Sequence, residues 1–511
     1  METDPTIVEY TAGHERYRCG YCGSKDTNYS HGMWAHQMTV ADYQALIDRG
    51  WRRSGMYCYK PTMNLTCCPQ YTIRCHPLEF KLNKSHKKVI KRVNKFLISG
   101  VKPGHDSEAS SKEYEGIDMV ERNVKDAESA MAQKTKPSEI VLPHGGKKTM
   151  KNPKGSVSET TFQTSNSSPS IPTGSKSAVI LSQEDREKQN EGSNSRCTPT
   201  PGTGPDPSKP KCKKAKEIRA ERRMMKQSQI GDSETKQKKQ KSSREKSLED
   251  FLREPEHVEN PAHKLEIALC RTAPESLQFR LSFHESYAVY RAYQMAVHKD
   301  PPEECDKFGF KSFLVDSPLE EKYDNNGPPD GYGSFHQHYL LDGKLIAVGV
   351  VDILPSSVSS VYLYYDPEYS FLGLGVYSAL REIALVRELN LSAPDLKYYY
   401  MGFYIHNCQK MRYKGQYRPS FLACPETYEW VPIEKCRPKL DVNKYCRLSE
   451  SGTDKEQDFD VNQVLVLHKG NMLPYGFYKV MTSQGRDEDE VREYASLVGK
   501  TCAERMLLVR K

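Results

Sequence analysis

Apolar and polar positions in the C-terminal half of the chain follow patterns typical of a small sheet with one helix. Two alternating runs are separated by Asp342-Gly343, a pair that predicts a β-hairpin with a tight turn. Apolar residues then recur at helical spacing, at Val376, Leu380, Ile383, Ala384 and Leu391. The predicted elements are strands at 332–341, 344–353 and 358–366, a helix at 374–391 and a strand at 397–405. Because a glycine-containing turn precedes the helix, we expect an α+β sheet in which the helix N-terminus faces a ligand cleft.

The density of aromatic residues divides the 511-residue chain into three regions. Of the 49 Phe, Trp and Tyr residues, only Tyr114 and Phe162 lie between residues 101 and 250. That stretch is rich in Ser, Lys, Glu, Pro and Thr, and such a composition buries too little apolar surface to offset chain entropy. The predicted domains are a Cys-rich N-terminal domain at 1–100, a largely disordered linker at 101–245 and a larger C-terminal domain at 246–511.

The charge of the chain is mildly basic, with a formal net charge of +8. This permits a nucleic-acid partner without demanding one. Residues 211–226 of the predicted linker carry eight basic residues and no Gly or Pro, which predicts a basic helix. Such a helix is either a solvated or nuclear-localisation-like segment or a contact to a phosphate backbone.

Signals for membrane insertion or secretion are absent from the sequence. No run of about 18 apolar residues is present, so no transmembrane helix is expected. The first residues have neither the basic start nor the apolar stretch of a secretory signal. Fifteen cysteines without such a signal indicate reduced thiols or metal ligands rather than a disulfide framework. We expect a monomeric, cytoplasmic and nuclear protein that does not associate with membranes.

Four cysteines near the N-terminus have the spacing of metal ligands. Cys19 and Cys22 form a Cys-x-x-Cys pair, and the adjacent Cys67 and Cys68 follow after 44 intervening residues. Four thiolates complete a tetrahedral zinc site. Adjacent cysteines are less usual for zinc, and thiolates that bind different irons of an iron–sulfur cluster are the alternative. Four ordinary buried cysteines are the third possibility.

Several segments of the two aromatic-rich regions match one known family. In the first region they span residues 18–22, 32–36, 48–55, 66–75 and 85–89. In the second they span residues 332–337, 342–349, 359–367, 398–406 and 413–420. Over roughly 17–100 and 250–505, the chain resembles the eukaryotic arginyl-tRNA–protein transferases of the vertebrate type.

The resemblance implies an enzyme that transfers arginine from Arg-tRNA to the α-amine of proteins beginning with Asp, Glu or oxidised Cys. It implies that the product is a degradation signal read by the ubiquitin system. It also implies a catalytic domain similar to the GNAT acetyltransferase fold, without acetyl-CoA as a cofactor. For the four cysteines it implies an iron–sulfur cluster, with zinc as the alternative.

The implied reaction is aminolysis of an ester, which requires two positioned substrates rather than a nucleophile on the enzyme. The α-amine of the acceptor has a pKa of about 7.7–8.0, so its deprotonation near neutral pH costs little. The sequence contains no Gly-x-Ser-x-Gly motif, in keeping with a reaction that forms no covalent enzyme intermediate.

Each substrate requires its own kind of side chain. The donor guanidinium requires a carboxylate, for which the candidates are Asp352, Asp366 and Glu382. An acidic acceptor requires a cation, and the tRNA requires phosphate contacts, for which Lys410 and Arg412 are candidates beside the 211–226 helix. From these requirements and the segments that match the family, we predict a catalytic set of His336, Tyr364, Asp366 and Tyr404. The predicted substrate-binding set is Ser334, Gln337, Asp352, Lys414 and Arg418.

Structural roles for some of these residues stay open. Tyrosines that alternate along strands can belong to the core, and His336 can form a surface pair with His338. Asp366 precedes a proline and can be a turn residue.

Two other functions stay open as well. One is an acetyl-CoA-dependent N-acetyltransferase, whose pyrophosphate turn begins with Gln or Arg. Here that turn reads Ser370-Phe-Leu-Gly373-Leu-Gly375, so the leading residue is missing. The other is a non-catalytic, metal-dependent interaction module.

Overall fold

The computed structural model describes most of the two aromatic-rich regions. The described residues are 4–12, 16–102, 246–450, 459–482 and 487–511, with isolated residues between 137 and 222. The two aromatic-rich regions belong to one compact unit, drawn from Met1–Asn152 and Glu245–Lys511. The predicted linker, 101–245, and its predicted basic helix, 211–226, lie almost entirely outside the described residues.

The described residues contain seventeen strands. The strands are β1 (Ile7–Tyr10), β2 (Ser30–Gln37), β3 (Arg52–Ser54), β4 (Tyr57–Pro61), β5 (Tyr71–Cys75), β6 (Ile140–Val141), β7 (Lys147–Lys148), β8 (Leu265–Ala273), β9 (Gly333–Leu341), β10 (Lys344–Leu354), β11 (Ser357–Tyr365), β12 (Tyr398–Tyr404), β13 (Ser420–Ala423), β14 (Trp430–Pro432), β15 (Leu465–His468), β16 (Asn471–Pro474) and β17 (Leu507–Arg510).

Eleven α-helices lie in the same described residues. The helices are α1 (Val40–Asp48), α2 (Lys84–Ser99), α3 (Leu248–Leu252), α4 (Leu277–Tyr293), α5 (Lys307–Phe310), α6 (Leu374–Asn390), α7 (Gln409–Arg412), α8 (Ile433–Val442), α9 (Tyr475–Thr482), α10 (Glu488–Val498) and α11 (Lys500–Ala503). No helix within the described residues has the length and apolar character needed to cross a bilayer.

The predicted elements of the C-terminal half are confirmed as β9, β10, β11, α6 and β12, with ends that differ by at most one residue. Asp342 and Gly343 form the predicted turn, both with positive φ, at 51° and 84°. Val376, Leu380 and Ile383 are buried, as their spacing predicts. Leu391, in contrast, is 86% exposed because the helix ends at Asn390.

Two large sheets combine N-terminal and C-terminal segments. In the described residues one sheet has seven strands in the order β16-β15-β17-β1-β2-β4-β3, and the other has eight in the order β14-β13-β5-β12-β11-β10-β9-β8. β5 pairs with both β12 and β13, and β1 pairs with β17. The regions predicted at 1–100 and 246–511 therefore share both sheets.

Helices cover both faces of the eight-stranded sheet. Because alternate residues of a strand point to opposite faces, neighbouring positions contact different helices. Gly349 of β10 lies against Glu382 of α6. Tyr364 of β11, whose register partner is Val348, has its hydroxyl 2.7 Å from Ser286 Oγ of α4. The sheet therefore has an α6 face and an α4 face, with different polar groups on each.

A buried ion pair joins the N-terminal region to the centre of this sheet. The Arg53 guanidinium on β3 donates from Nε to Asp352 Oδ2 at 2.8 Å and also binds Oδ1 through Nη2. Ser334 Oγ donates to the same Oδ1 at 2.8 Å. Since all three side chains are buried, neither charge can be hydrated when its partner is lost.

Replacement of Asp352 by Asn is therefore expected to lower the free energy of unfolding by about 3–5 kcal/mol, because the Arg53 charge stays buried without its partner. Asp366→Asn is the matched control, since Asp366 pairs with the half-exposed Lys344 at the surface. That change is expected to cost less than about 1 kcal/mol. Urea denaturation measures both values, and equal costs would contradict the structural role of the Arg53–Asp352 pair.

Candidate active-site cleft and metal centre

A cleft opens where two parallel strands separate. β11 and β12 pair only over Ser357–Ser359 and Tyr398–Tyr400, although both strands continue beyond those residues. The gap encloses about 130 Å³. Its lining comes from β11, the first turns of α6, β12, the end of α4 and the segment after α7. The lining residues are Tyr293, Ser360, Val361, Tyr362, Leu363, Gly375, Ser378, Ala379, Tyr399, Met401, Gly402, Tyr413, Lys414 and Tyr417.

An irregularity in β12 accompanies this separation. The register between β12 and β5 shifts between Tyr400 and Phe403, and Gly402 has a φ of 66°, a conformation that favours glycine. Two cations hold the backbone here. Arg52 Nη2 donates to the Gly402 carbonyl at 3.3 Å, and Lys414 Nζ donates to the Phe403 carbonyl at 3.1 Å. The distorted strand thus brings the Lys414 ammonium group to the cleft.

A buried carboxylate lies behind the cleft wall. Glu382 of α6 is 1% exposed, and its Oε2 accepts a hydrogen bond from the Tyr399 hydroxyl at 2.6 Å. Burial raises the pKa of Glu382 to about 7, although hydrogen bonds from Tyr399 and Ser360 oppose the shift. Within the described residues no lysine, arginine or histidine forms an ion pair with Glu382. The charge of its ionised form is therefore not neutralised by any cation among the described residues.

The other two candidate carboxylates have cationic partners. Asp352 binds Arg53, as described above, and is completely buried. Asp366 caps the 3-10 helix Pro367–Leu372 and pairs with Lys344 at 2.9 Å. Of the three carboxylates predicted for the donor guanidinium, only Glu382 contacts residues that line the cleft.

Four predicted cations lie around the segment that borders the cleft. Lys410 and Arg412 are on α7, and Lys414 follows in the next turn. Arg412 is half-exposed, and its Nη2 lies 3.4 Å from Asp441 Oδ1. Arg418 is exposed and pairs with Glu434 at 3.3 Å. The structure therefore brings Lys410, Arg412 and Lys414 together and places Arg418 beyond them.

Tyr404 belongs to a polar chain at the end of β12. Its hydroxyl lies 2.8 Å from His406 Nδ1, and His406 Nε2 lies 2.7 Å from Asp441 Oδ1. His406 was not among the residues predicted from the sequence, although it lies two residues after Tyr404 in a matched segment. The signal in the sequence was that Tyr404 and His406 are two positions apart, which puts both polar side chains on the same side of the strand end.

His336 and Tyr364 lie on the α4 face of the sheet. His336 is completely buried, its Nε2 is 3.0 Å from the Leu314 carbonyl, and burial lowers its pKa to about 3. The Tyr364 ring is also completely buried and its hydroxyl bonds Ser286. Neither residue lines the cleft.

Ser334 and Gln337 are both buried on β9. Ser334 contributes to the Arg53–Asp352 pair. Gln337 accepts a hydrogen bond from the Tyr339 hydroxyl at 2.8 Å on the α6 face, near Glu382. The structure thus connects Gln337, but not Ser334, to the surroundings of the cleft.

Arg52 and Arg53 were not selected from the sequence, and the structure shows both as buried cations. Two consecutive arginines between Trp51 and Ser54 were the signal that sequence analysis had available. Arg52 contacts the rings of Tyr400 and Phe403, with its guanidinium carbon 5.8 and 5.0 Å from the ring centroids. It therefore fixes both the backbone and the side chains of β12 next to the cleft.

The four predicted metal ligands converge. The sulfur atoms of Cys19, Cys22, Cys67 and Cys68 all lie within 4.8 Å of one another. Four thiolates around one tetrahedral ion at about 2.3 Å have edges of about 3.8 Å, so this group can hold a metal ion.

Two of the four thiols favour the thiolate form. A hydrogen bond with Cys68, with help from the backbone N–H groups of Cys22 and Tyr21, lowers the pKa of Cys19 to about 5. Burial opposes ionisation of Cys22, but its hydrogen bonds with Ser24 lower the pKa. Burial raises the pKa of Cys67 to about 11, although Thr27 Oγ1 donates to its Sγ at 3.1 Å, and the hydrogen bond with Cys19 raises the pKa of Cys68 well above its ordinary value. A thiolate is the form that binds a metal, so metal binding here has to displace the protons of Cys67 and Cys68.

The cysteine group packs against β12 beyond Gly402. Cys19 and Cys68 share a buried cluster with Tyr59, Phe403 and Met411. Because Phe403 and Met411 flank the cleft segment, a metal held by these cysteines would stiffen the same strand that forms the cleft wall.

Both aromatic-rich regions of the chain are similar to known proteins. The family models described as "Arginine-tRNA-protein transferase, N terminus" and "Arginine-tRNA-protein transferase, C terminus" match residues 17–88 and 285–424. The chain is 41% identical to arginyl-tRNA–protein transferase 1 of Drosophila melanogaster, over 99% of both chains. It is 36% identical to arginyl-tRNA–protein transferase 1 of Arabidopsis thaliana, over 87% of this chain and 76% of that protein.

A bacterial relative matches a shorter part. An aspartate/glutamate leucyltransferase of Pseudomonas fluorescens is 37% identical over 30% of this chain and 57% of that protein. The comparisons define an aminoacyl-tRNA–protein transferase. The chain belongs to the arginyl-tRNA–protein transferase family.

Loss of one cysteine ligand is expected to release the metal. Cys22→Ser should lower bound zinc or iron per chain to near zero in the purified protein, because three thiolates hold an ion less tightly than four. It should also lower the melting temperature. Cys446→Ser, outside the cysteine group, is the control and should change neither. Elemental analysis measures the metal, and full retention by Cys22→Ser would contradict the assigned ligand set.

The pKa of Glu382 predicts a pH-dependent stability difference. The folded protein binds the Glu382 proton more tightly than the unfolded chain, so this stabilisation is fully present below about pH 4.5 and is lost as pH rises through about 7. Glu382→Gln removes the titration. The variant should therefore gain up to about 3 kcal/mol in free energy of unfolding, relative to wild type, between pH 5 and pH 8. A difference that is independent of pH in urea denaturation would contradict the raised pKa.

Proposed function

We propose that the β11–β12 cleft transfers arginine from Arg-tRNA to the α-amine of proteins that begin with Asp, Glu or oxidised Cys. The product would serve as a degradation signal for the ubiquitin system. The observation that carries the proposal is the buried carboxylate of Glu382 behind the cleft, which forms no ion pair with a described cation, in a chain of the arginyl-tRNA–protein transferase family.

Glu382 would bind the guanidinium group of the donor arginine. An ionised carboxylate without a cationic partner is costly in a buried site, and an incoming guanidinium neutralises it. Tyr399 and Ser360 line the cleft and hydrogen-bond Glu382, so they connect the carboxylate with the space that the donor would occupy. Such an arrangement would favour arginine over uncharged amino acids.

Lys414 would stabilise the acidic side chain of the acceptor. Its ammonium group is at the cleft through its bond to the Phe403 carbonyl. The Glu382 carboxylate would then bind the donor arginine and the Lys414 ammonium group would bind the acidic acceptor, so each substrate would be positioned by a charge opposite to its own. Positioning of this kind accounts for a large part of the barrier reduction in a two-substrate reaction.

The first turn of α6 would bind the terminal nucleotide of the tRNA. The first backbone N–H groups of a helix have no partners within the helix and favour phosphate groups. α6 is seventeen residues long, Gly373 precedes it with a φ of 71°, and Gly375 lines the cleft. The two glycines allow close approach of the ligand to the backbone.

For the fold and the metal we propose the finer assignments implied by the family resemblance. A GNAT-like fold is supported by the separating parallel pair β11–β12 beside a helix N-terminus. An iron–sulfur cluster at the four cysteines is supported by the resemblance, whereas sulfur separations of 4.8 Å or less suit a single zinc ion more closely. Iron, zinc and acid-labile sulfide analysis distinguishes the two.

Transfer of labelled arginine from Arg-tRNA to two peptides that differ only in an N-terminal Asp or Ala tests the function. The wild-type protein should label the Asp peptide only. Glu382→Gln should lower kcat/KM for Arg-tRNA by about 10- to 100-fold, because a charge-assisted hydrogen bond is lost. Glu388→Gln, at an exposed site on the same helix, should retain wild-type kcat/KM. No labelling by wild type, or equal activity of both variants, would contradict the proposal.

A further inference from the structure

We propose that the exposed face of α2 is a docking surface for the double-helical part of the donor tRNA. This inference rests on the proposed function. No site assignment above includes α2, although it is the most uniformly charged helix of the described residues.

The charge of α2 is of one sign only. Its sixteen residues include six Lys or Arg and no Asp or Glu. Four exposed lysines follow one another at helical spacing and form a row, here called the lysine row, of Lys84, Lys88, Lys91 and Lys95. Like charges at i,i+4 destabilise a helix, so the row opposes the stability of α2. Eleven residues of helix give the row a length of about 16 Å.

Other interactions stabilise α2 in spite of this repulsion. Asn83 caps its N-terminus by accepting a hydrogen bond from the His86 N–H at 2.8 Å, and Gly100 ends it with a φ of 67°. An apolar stripe on the opposite side is buried, and its members are Val89, Ile90, Val93, Phe96 and Leu97. The helix is therefore fixed by packing, while the lysine row faces solvent.

The position of α2 connects the lysine row with the cleft. Arg92 Nη1 donates to the Phe371 carbonyl at 3.1 Å. A Cβ built on Gly373 would lie 3.6 Å from Arg92 Nη1. Gly375, two residues further along the chain, lines the cleft. Arg92 thus places α2 beside the start of α6, whose first turns line the cleft, and Lys410 and Arg412 of α7 precede the cleft residue Lys414 on the other side.

Phosphate groups of a nucleic acid fit this surface better than a membrane does. A basic helix that binds a bilayer inserts its apolar face, and that face of α2 is buried in the protein. Two acidic side chains of the neighbouring α3 region have cationic partners outside α2, Glu249 with Arg387 and Glu254 with Lys246. A row of charges next to the cleft suits a duplex backbone whose single-stranded end enters that cleft.

The test uses the full-length protein with Lys84, Lys88, Lys91 and Lys95 all replaced by Ala. The control replaces four exposed lysines on other elements, Lys264, Lys307, Lys311 and Lys500. Binding of uncharged tRNA is measured by fluorescence anisotropy at several salt concentrations, and arginine transfer gives KM for Arg-tRNA and kcat. Circular dichroism and the melting temperature verify that the variants fold. Alanine has a high helix propensity, so replacement of the four lysines should not disrupt α2.

If the inference holds, the lysine-row variant binds tRNA at least about tenfold more weakly. Its slope of log affinity against log salt becomes shallower by about 3.6 if all four lysines contact phosphates, since each lost contact removes about 0.9. The KM for Arg-tRNA rises, whereas kcat at saturating Arg-tRNA stays within about twofold of wild type. The control variant keeps its tRNA affinity, KM and kcat within about twofold of wild type.

The inference would be overturned if the lysine-row variant bound tRNA with the affinity and salt slope of the wild-type protein. If the wild-type protein transferred arginine in the same experiments, the proposed function would be left intact. Loss of binding to anionic lipid vesicles without a change for tRNA would overturn the inference too. Absence of transfer by wild type would overturn both.

Discussion

The irregularity of β12 at Gly402 is the constraint on which the candidate site depends. A regular parallel pair would close the space between β11 and β12, and no cleft would lie beside α6. The positive φ of Gly402 changes the strand direction locally, and two buried or half-buried cations bind the carbonyl groups that this change exposes. One of them, Arg52, comes from the N-terminal region, so the site is complete only when both regions of the chain fold together.

The same dependence explains the position of the cysteine group. Its buried cluster includes Phe403, directly after Gly402, and Met411, in the segment that leads to Lys414. A metal bound by four thiolates would hold the first fifth of the chain against the far wall of the cleft. The cysteine group and the cleft therefore share one strand, because Phe403 of β12 belongs to the cluster around the cysteines and follows the cleft residue Gly402.

Local features of the molecule could be predicted from the sequence, and long-range ones could not. The Asp342-Gly343 hairpin and α6 depend on spacing within a few residues, and their predictions are confirmed. The four cysteines were found by type and spacing, and they do lie together. The insertion of β5 between β12 and β13, in contrast, joins residues more than 300 positions apart, and no local pattern carries that information.

Residue roles were difficult to predict for a related reason. Alternation shows that His336 and Gln337 face opposite sides of β9, but it does not show which side meets the cleft. The structure places His336 against α4 and Gln337 near Glu382. Likewise, the predicted site sets contain Asp352 and Asp366 but not Glu382, whereas in the structure Asp352 and Asp366 pair with Arg53 and Lys344 and Glu382 lies behind the cleft.

The central claim is that the cleft between β11 and β12 receives the aminoacylated end of the tRNA. Photocrosslinking tests it directly, with Arg-tRNA that carries 8-azidoadenosine as its 3′-terminal nucleotide and crosslinked peptides mapped by mass spectrometry. The account predicts crosslinks within residues 360–363, 375–379, 399–402 or 413–417, and their loss when unlabelled Arg-tRNA competes. Competed crosslinks confined to other parts of the chain would contradict it.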